Sequence, residues 1–397
     1  MLIKEHPEDF CVEECISLPW SAEPGAFRLY RLEKRSWNTV DALRTAAEAT
    51  NVPGQVIRYG GKKDRHAHTV QYCTTPVPFD LSYQRHNVKV TCVGFSETPM
   101  TPRDIVGNRF HIVLRRVEKA REDFLGMCWE DAVRHGTLNY FDDQRFGGVN
   151  ASGVFLAEFL VRKDFSGALR CHMTACHPDA SPSLRRRKQS LERLWGDWRA
   201  MRPLCVSPEE REMVNCCLEK PGEEGIKHAL RHITRETWGL YLSSFQSALW
   251  NEALSSLVQQ QRVDIWPLQG KSAPLWFFRH KGPERAWTDL QIPVPSGELR
   301  REDGEGALAL LKILEGRHLQ PSDFHRERLP QGHFAAFSRP AAVRPRETSL
   351  AFADDDRHPG FRKGLFSFLL PGGSYATLLM QTLICFPGAC ANGERKL

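Results

Sequence analysis

No stretch of this 397-residue chain approaches the roughly 18 to 20 consecutive apolar residues that a membrane helix requires. The opening "MLIKEHPEDF" has neither an apolar core nor a small-residue cleavage site, so no signal peptide is expected. Internal repeats and low-complexity tracts are missing, which excludes solenoid and fibrous architectures. The cysteines number twelve but follow no disulfide-framework spacing: Cys216 and Cys217 are adjacent, and Cys11 and Cys15 stand apart from the rest. Reduced thiols in a cytoplasm are the simplest account. A P-loop is also lacking. In "YGGKKDRHAHTVQYC" the residue five before Gly61 is Val56 rather than glycine, and Lys63 stands after Lys62 where serine or threonine is needed.

With 41% hydrophobic and 26% charged residues, the chain has the profile of an ordinary globular protein. Its length points to about two or three domains. A formal net charge of +6 is mildly basic and compatible with a polyanionic partner.

Residues 8–117 read as strands with one helix between them. "FCVEECI" and "FRLYRLEKR" alternate apolar and polar positions as half-buried strands do. "NTVDALRTAAEATN" reads as a helix capped by Thr39, with Val40, Leu43, Ala46 and Ala47 on its apolar face. "VIRYGG", "HTVQYCTT", "VKVTCVGF" and "RFHIVLRRV" continue a largely antiparallel pattern. Residues 118–136 and 151–240 read as mainly helical, and "GTLNYFDDQRFGG" between them as irregular. "DASPSLRRRKQSLERLWGDWR" reads as a turn entering a basic, tryptophan-containing helix. "YLSSFQSALWNEALSSLV" is expected as an amphipathic helix. Residues 262–347 read as short strands and loops with one helix near "GEGALALLKILEG". "LPGGSYATLLMQTLICF" reads as a glycine turn feeding a buried helix. Strands and helices without strict alternation argue for an α+β fold.

The loop between "VIRYGG" and "HTVQYCTT" places one carboxylate, Asp64, among Lys62, Lys63 and Arg65. Neighbouring cations keep a carboxylate ionised and also attract phosphates. An ionised carboxylate beside a captured polyanion suits a nucleophile or base acting on a nucleotide. The bland alternative is a basic hairpin turn with Asp64 as turn former.

Four blocks, in order along the chain, resemble the TruD family of pseudouridine synthases. "GGKKDRHAHTVQ" fits its signature at Gly61, Lys63, Asp64, Arg65, Ala67, Thr69 and Gln71. "KEHPEDFCVEE" fits through Lys4, Pro7, Asp9, Phe10 and Glu13. "NYFDDQRFG" fits through Asn139, Tyr140, Phe141, Gln144, Arg145, Phe146 and Gly147. "LPGGSYATLL" fits through Pro371, Gly373, Ser374, Tyr375, Ala376 and Thr377. Shorter echoes are "WNT", "GNRFHIVLR" and "FQSALWN", so the resemblance spans nearly the whole chain.

The resemblance implies a pseudouridine-synthase fold with a mixed, mostly antiparallel sheet and a family-specific α/β insertion. The expected division is a catalytic domain over 1–233, with a helical extension at about 151–233, an insertion domain over 234–341, and a return to the catalytic domain over 342–397. A cleft between the parts would hold RNA. It implies isomerisation of a uridine in tRNA, most simply uridine 13, without cofactor or metal. Asp64 would be the nucleophile, attacking either the base or the ribose C1′. Lys4 would lie against Asp64 and keep it charged, Phe141 would stack on the flipped uracil, and Asn139 would hydrogen-bond the active-site backbone or carboxylate. RNA contacts are expected from Lys62, Lys63, Arg65, His66 and Arg145, and from Arg185, Arg186 and Arg187 beside Trp195 and Trp198. His68 is read as an RNA contact or a structural residue. The "SYAT" block would line or support the pocket.

"MQTL" stands where the family has Arg-Glu-Leu, Gln246 and Ser247 follow the archaeal and eukaryotic style, and 151–233 is longer than in compact bacterial members. These departures bear on which RNA is chosen. Two other classes remain open: another RNA site or a non-catalytic RNA-binding protein, and a metal-dependent enzyme built on Cys171, His172, Cys176 and His177.

Overall fold

The computed structural model describes residues 1–385 except 66, 147–152, 177–179, 262–263, 279–285 and 326–331. Along the chain come β1 (Phe10–Ile16), β2 (Phe27–Arg35), α1 (Thr39–Thr50), β3 (Arg58–Tyr59), β4 (His68–Pro76), β5 (Tyr83–Arg85), β6 (Val88–Ser96), β7 (Ile105–Val117) and α2 (Glu122–His135). After β8 (Thr137–Leu138) follow α3 (Leu156–Val161), α4 (Phe165–Thr174), α5 (Pro182–Arg193), α6 (Trp198–Met201), α7 (Pro208–Glu219), α8 (Glu223–Leu230) and α9 (Arg235–Gln259). Then come β9 (Ile265–Gln269), β10 (Pro274–Phe278), β11 (Gln291–Pro293), α10 (Glu305–Gly316), β12 (Ser338–Pro340), β13 (Ala342–Val343), β14 (Arg346–Asp354), β15 (Arg362–Pro371) and α11 (Ala376–Ile384).

The chain divides into two compact units, Met1–Thr137 with Val343–Leu397, and Leu138–Ala342. In the second unit, residues after 138 pack on α9. The Ser244 hydroxyl of α9 donates to the Arg145 carbonyl (2.7 Å), and Phe155 meets Phe245 with centroids 5.7 Å apart.

In the first unit, nine strands form one sheet in the order β14-β15-β7-β1-β4-β2-β6-β5, with β3 paired to β4. The β1–β4 pair is parallel and the other pairs with recorded registers are antiparallel, so the sheet is mixed and mostly antiparallel as expected. Alternation decides what each strand buries. Phe10, Val12 and Glu14 of β1 face inward; Cys11, Glu13 and Cys15 face the wetter side. Phe110, Ile112, Phe366 and Phe368 meet Trp129 of α2 and Leu379 of α11, and each such burial stabilises by roughly 1.5–3 kcal/mol. A second cluster packs Tyr30, Leu32 and Val90 under Leu43 and Ala46 of α1.

Two local expectations change. The α1 cap is Asn38, whose Oδ1 accepts from the Asp41 amide (2.8 Å), because Thr39 turns inward to other partners. Val40 is exposed rather than part of the apolar face.

The amino-terminal segment is tied down by charge. Arg115 donates from Nε and an Nη to both oxygens of Asp9 (2.8 and 2.7 Å) and from its other Nη to Asp355 (2.9 Å), all three residues being buried. Burial works against the Asp355 charge, but the amides of Arg116 and Arg357 and the Arg115 guanidinium outweigh it and hold its carboxyl below the usual range. A depressed carboxyl stabilises the fold above its unfolded value, near pH 3.8, and that contribution drains as pH falls through the folded value. Arg115→Met should therefore cost about 3–5 kcal/mol in urea unfolding at pH 7 by stranding two buried carboxylates. The penalty should shrink at pH 3, and an equal penalty at both pH values would contradict this assignment.

The second unit is built around α9. Its sequence suggested an amphipathic helix, yet residues around nearly its whole circumference are buried, including Ser244, Gln246, Asn251 and Ser255. These polar side chains bond the backbones of surrounding loops instead of water: Gln246 Nε2, for example, donates to the carbonyls of Pro295 (2.7 Å) and Ala335 (2.8 Å). Trp195 and Trp198 lie outside α5, which ends at Arg193, and meet each other edge to face at 4.9 Å. Every described cysteine is a free thiol.

Candidate active site

The loop over 60–67 connects β3 to β4 and carries Asp64. The Lys63 amide donates to Thr39 Oγ1 (3.0 Å), which donates to Gln71 Oε1 (2.7 Å), while Gln71 Nε2 donates to the Gly61 carbonyl (3.1 Å). Thr39 and Gln71 are both buried, so this closed set of bonds fixes the loop backbone away from competing water.

Asp64 Oδ2 accepts from Lys4 Nζ at 2.7 Å, with both side chains 20% exposed. The Lys4 ammonium also lies 4.2 Å from the Phe10 ring centroid. Lys4 has φ of +58°, a conformation that costs a non-glycine residue roughly 1 kcal/mol and persists where its surroundings enforce it. Here the enforcement is visible on both sides of Lys4. Leu2 exchanges two backbone bonds with Arg115, and Glu5 pairs with His358 at 2.9 Å.

The adjacent Lys63, expected to face RNA, points inward instead. Its ammonium pairs with Glu14 Oε1 (2.6 Å) and donates to Asn108 Oδ1 (2.8 Å). Glu14 is the inward carboxylate of β1 and is fully buried, so a cation must meet it. Lys4, sixty residues away in sequence, pairs with Asp64, as the resemblance implies. Lys62 and Arg65 are exposed on the loop, and His66 lies outside the described residues. His68 sits at the start of β4 with Nε2 3.0 Å from Glu33.

Asn139 and Phe141 belong to the second unit, and both are buried. The Arg339 Nε donates to the Asn139 carbonyl (2.8 Å) and an Nη to Asn139 Oδ1 (2.6 Å). Asn139 Nδ2 donates to the Pro340 carbonyl (3.1 Å). The Arg339 guanidinium sits 4.2 Å from the Phe141 ring centroid, and Trp250 meets that ring edge-on at 5.4 Å. Asn251 completes the frame. Its Oδ1 accepts from the Phe141 amide and its Nδ2 donates to the Phe141 carbonyl, each at 2.9 Å. The ring at 141 is held from both its backbone and its face.

The remaining cations divide. Arg185 and Arg186 are exposed on α5. Arg187 pairs with Glu210 (2.7 Å), and Lys188 shares that carboxylate (3.2 Å). Burial opposes charge on Glu210, but Arg187, the Val206 amide and Lys188 outweigh it and hold the carboxyl down to about 2. Arg145 is half-buried, its carbonyl held by Ser244. Of the "SYAT" block, Tyr375 caps α11 and Ala376 enters the core beneath the sheet, after a turn at Gly373 with φ of +79°. Of the cysteine–histidine group, His172 bonds the Tyr241 hydroxyl (3.0 Å) and burial pushes its imidazole down to about 4. His177 and Gly147 lie outside the described residues. Among the described residues no three histidine, cysteine or acidic side chains are placed to hold a metal.

Sequence reasoning passed over Lys34, Asn251 and Arg339. Lys34 was visible in principle, since Tyr30 and Leu32 set an inward phase on β2 that places a lysine in the core. Arg339 and Asn251 carried no such signal.

The model of a family described as tRNA pseudouridine synthase D (TruD) matches residues 1–270. Among curated proteins, the tRNA pseudouridine synthase D of Leptospira interrogans is 30% identical over 390 residues, covering 96% of this chain and 95% of the other. That of Aquifex aeolicus is 27% identical over 395 residues, covering 96% and 98%. Among solved structures, the putative tRNA pseudouridine synthase D from Methanosarcina mazei aligns with a TM-score of 0.70 at 20% identity, over 96% of this chain and 92% of that one.

Proposed function

This chain belongs to the TruD family of tRNA pseudouridine synthases, and from that premise we propose that it converts uridine 13 of tRNA to pseudouridine with Asp64 as nucleophile. The observation carrying the assignment of Asp64 is its ion pair with Lys4, a carboxylate met by a cation yet still one-fifth open to a ligand. A paired base cannot be reached inside a helix, so the target nucleotide is extruded first. Phe141 then stacks on the uracil, its plane set by Arg339 and Trp250. The Asp64 carboxylate attacks the base or C1′, and the N1–C1′ bond breaks with its electron pair passing to the uracil. After the ring turns, C5 bonds to C1′, the bond to Asp64 breaks with its electron pair returning to the carboxylate, the C5 hydrogen leaves as a proton, and N1 takes up a proton. No step requires a redox partner, since uridine and pseudouridine are isomers.

The exposed side chains of Lys62, Arg65, Arg185 and Arg186 serve the phosphate backbone, and Lys63 and Arg187 face Glu14 and Glu210 instead. The test uses a tRNA transcript with tritium at uridine C5, followed by chemical mapping of the pseudouridine. Tritium release with one modified position at 13 is expected. Release with the modification elsewhere would keep the chemistry and overturn the site. Binding without release would make the protein a non-catalytic RNA binder.

A further inference from the structure

Lys34 lies at the end of β2 with a relative exposure of 0%. Its ammonium donates to the main-chain carbonyls of Trp37 (2.6 Å), Asp64 (2.9 Å) and, more weakly, Lys63 (3.5 Å). No carboxylate comes within ion-pair distance among the described residues. Burying an ammonium on carbonyls alone is costly, and an apolar side chain of similar length would ordinarily be the more stable choice. What the lysine supplies is three N–H donors from one tetrahedral centre, matched to three carbonyls that converge beneath the loop. An arginine fork does not reproduce that arrangement.

The bonds made by Thr39 and Gln71 hold the Lys63 amide and the Gly61 carbonyl. Lys34 holds the next two carbonyls, including that of Asp64 itself. With Lys4 on the carboxylate, every part of Asp64 that determines where its oxygens point is pinned, the backbone by Lys34 and the side chain by Lys4. Resting on the assignment of Asp64 above, we infer that Lys34 is a positioning residue for the reaction: its buried ammonium sets the backbone of the nucleophile and places positive charge beneath it.

Among the described residues, the groups facing Lys34 are these. On the loop, the Asp64 charge favours its proton and the Lys63 charge opposes it. Glu14 on β1 is reached through Lys63, and Lys4 through Asp64. Its cross-strand neighbours, Thr69 on β4 and Val88 on β6, do not titrate. Burial is the largest influence and pushes the ammonium down to about 8. Below that pH the three donors are present. Above it one donor and the charge are gone, and the loop carbonyls lose a partner. The fold does not suffer from this change. A lysine whose folded value lies below its unfolded one sheds a burial cost as pH rises from about 8 to 10.5, so this group adds stability over that window. Activity and stability therefore move in opposite directions, which a purely structural lysine would not produce.

The experiment measures single-turnover tritium release from C5-tritiated tRNA between pH 7 and 9, with tRNA affinity and circular dichroism at each pH. Wild-type release should fall roughly tenfold from pH 7.5 to 9 along one ionisation, with affinity and spectrum unchanged. Lys34→Met, which keeps the aliphatic length, should be slower at pH 7 on the order of 100-fold, as for a displaced reacting group, and flat across the range. A flat wild-type profile, a variant within threefold of wild type, or the same alkaline limb in both would overturn the inference. Should the variant not fold, the wild-type profile decides alone. Asp64→Ala is run beside them: release from that variant would overturn the assignment of Asp64, whereas a dead Asp64→Ala with a wild-type-like Lys34→Met would overturn the role of Lys34 by itself.

Discussion

Asp64→Ala should bring tritium release from C5-labelled tRNA down by at least ~10⁴-fold, the scale of loss when a covalent nucleophile is removed. Affinity for tRNA should stay within about threefold, because phosphate contacts supply most of the binding free energy and Asp64 makes none of them. Asp64→Asn should be equally inactive. It keeps the shape and can still accept from Lys4, but it carries no charge to attack with. The fold should survive both changes: the pair is partly exposed, and exposed ion pairs are worth about 1 kcal/mol or less. Wild-type rates from either variant would remove the aspartate chemistry, whereas loss of tRNA affinity in step with rate would recast Asp64 as a binding residue.

Arg339→Ala should lose about 3–5 kcal/mol of stability, since it strands the Asn139 carbonyl and amide oxygens and removes a buried cation from two aromatic faces. Where the protein stays folded, release of tritium should fall on the order of 100-fold as the Phe141 ring loses its frame. Arg339→Lys should rescue little, because one ammonium cannot serve two acceptors of Asn139 and lie flat over the ring. Urea unfolding and single-turnover release separate the two effects. A variant within 1 kcal/mol of wild type, with an unchanged rate, would show that the Asn139–Phe141 segment holds its shape unaided.

The two residues also mark how legible this protein is. Asp64 stands out locally, as a single carboxylate in a basic loop between two strands, and the four resemblance blocks place it in a known family. Most strands along residues 8–117 were readable because alternation in "FCVEECI" or "FRLYRLEKR" is a property of neighbours two apart. The inward phase of β2 even marks Lys34 as buried. The phase says nothing of what a buried lysine would touch.

The residue pattern alone does not say which cation serves which anion; the family resemblance paired Lys4 with Asp64 but left Lys63 facing RNA. Lys63 adjoins Asp64 in the chain but serves Glu14, while Lys4 comes from sixty residues away. Side chains next to each other on an extended backbone point apart, so adjacency in sequence predicts separation in space. The polar residues of α9 were read as a solvent face for a related reason. A side chain bonded to a distant loop carbonyl and one bonded to water look identical until the loop is placed.

The amino-acid order by itself determined the strand phases, the family and the candidate nucleophile proposed here, because each depends on short-range pattern or on residues matched one by one. Only the tertiary structure decided the inward turn of Lys63 and the frame that Arg339 and Asn251 build around Asn139 and Phe141, from 200 residues away for Arg339 and Asn139 and 110 for Asn251 and Phe141. Hydrogen bonds and ion pairs act over about 3 Å, and which groups come that close is settled by the packing of elements far apart in the chain.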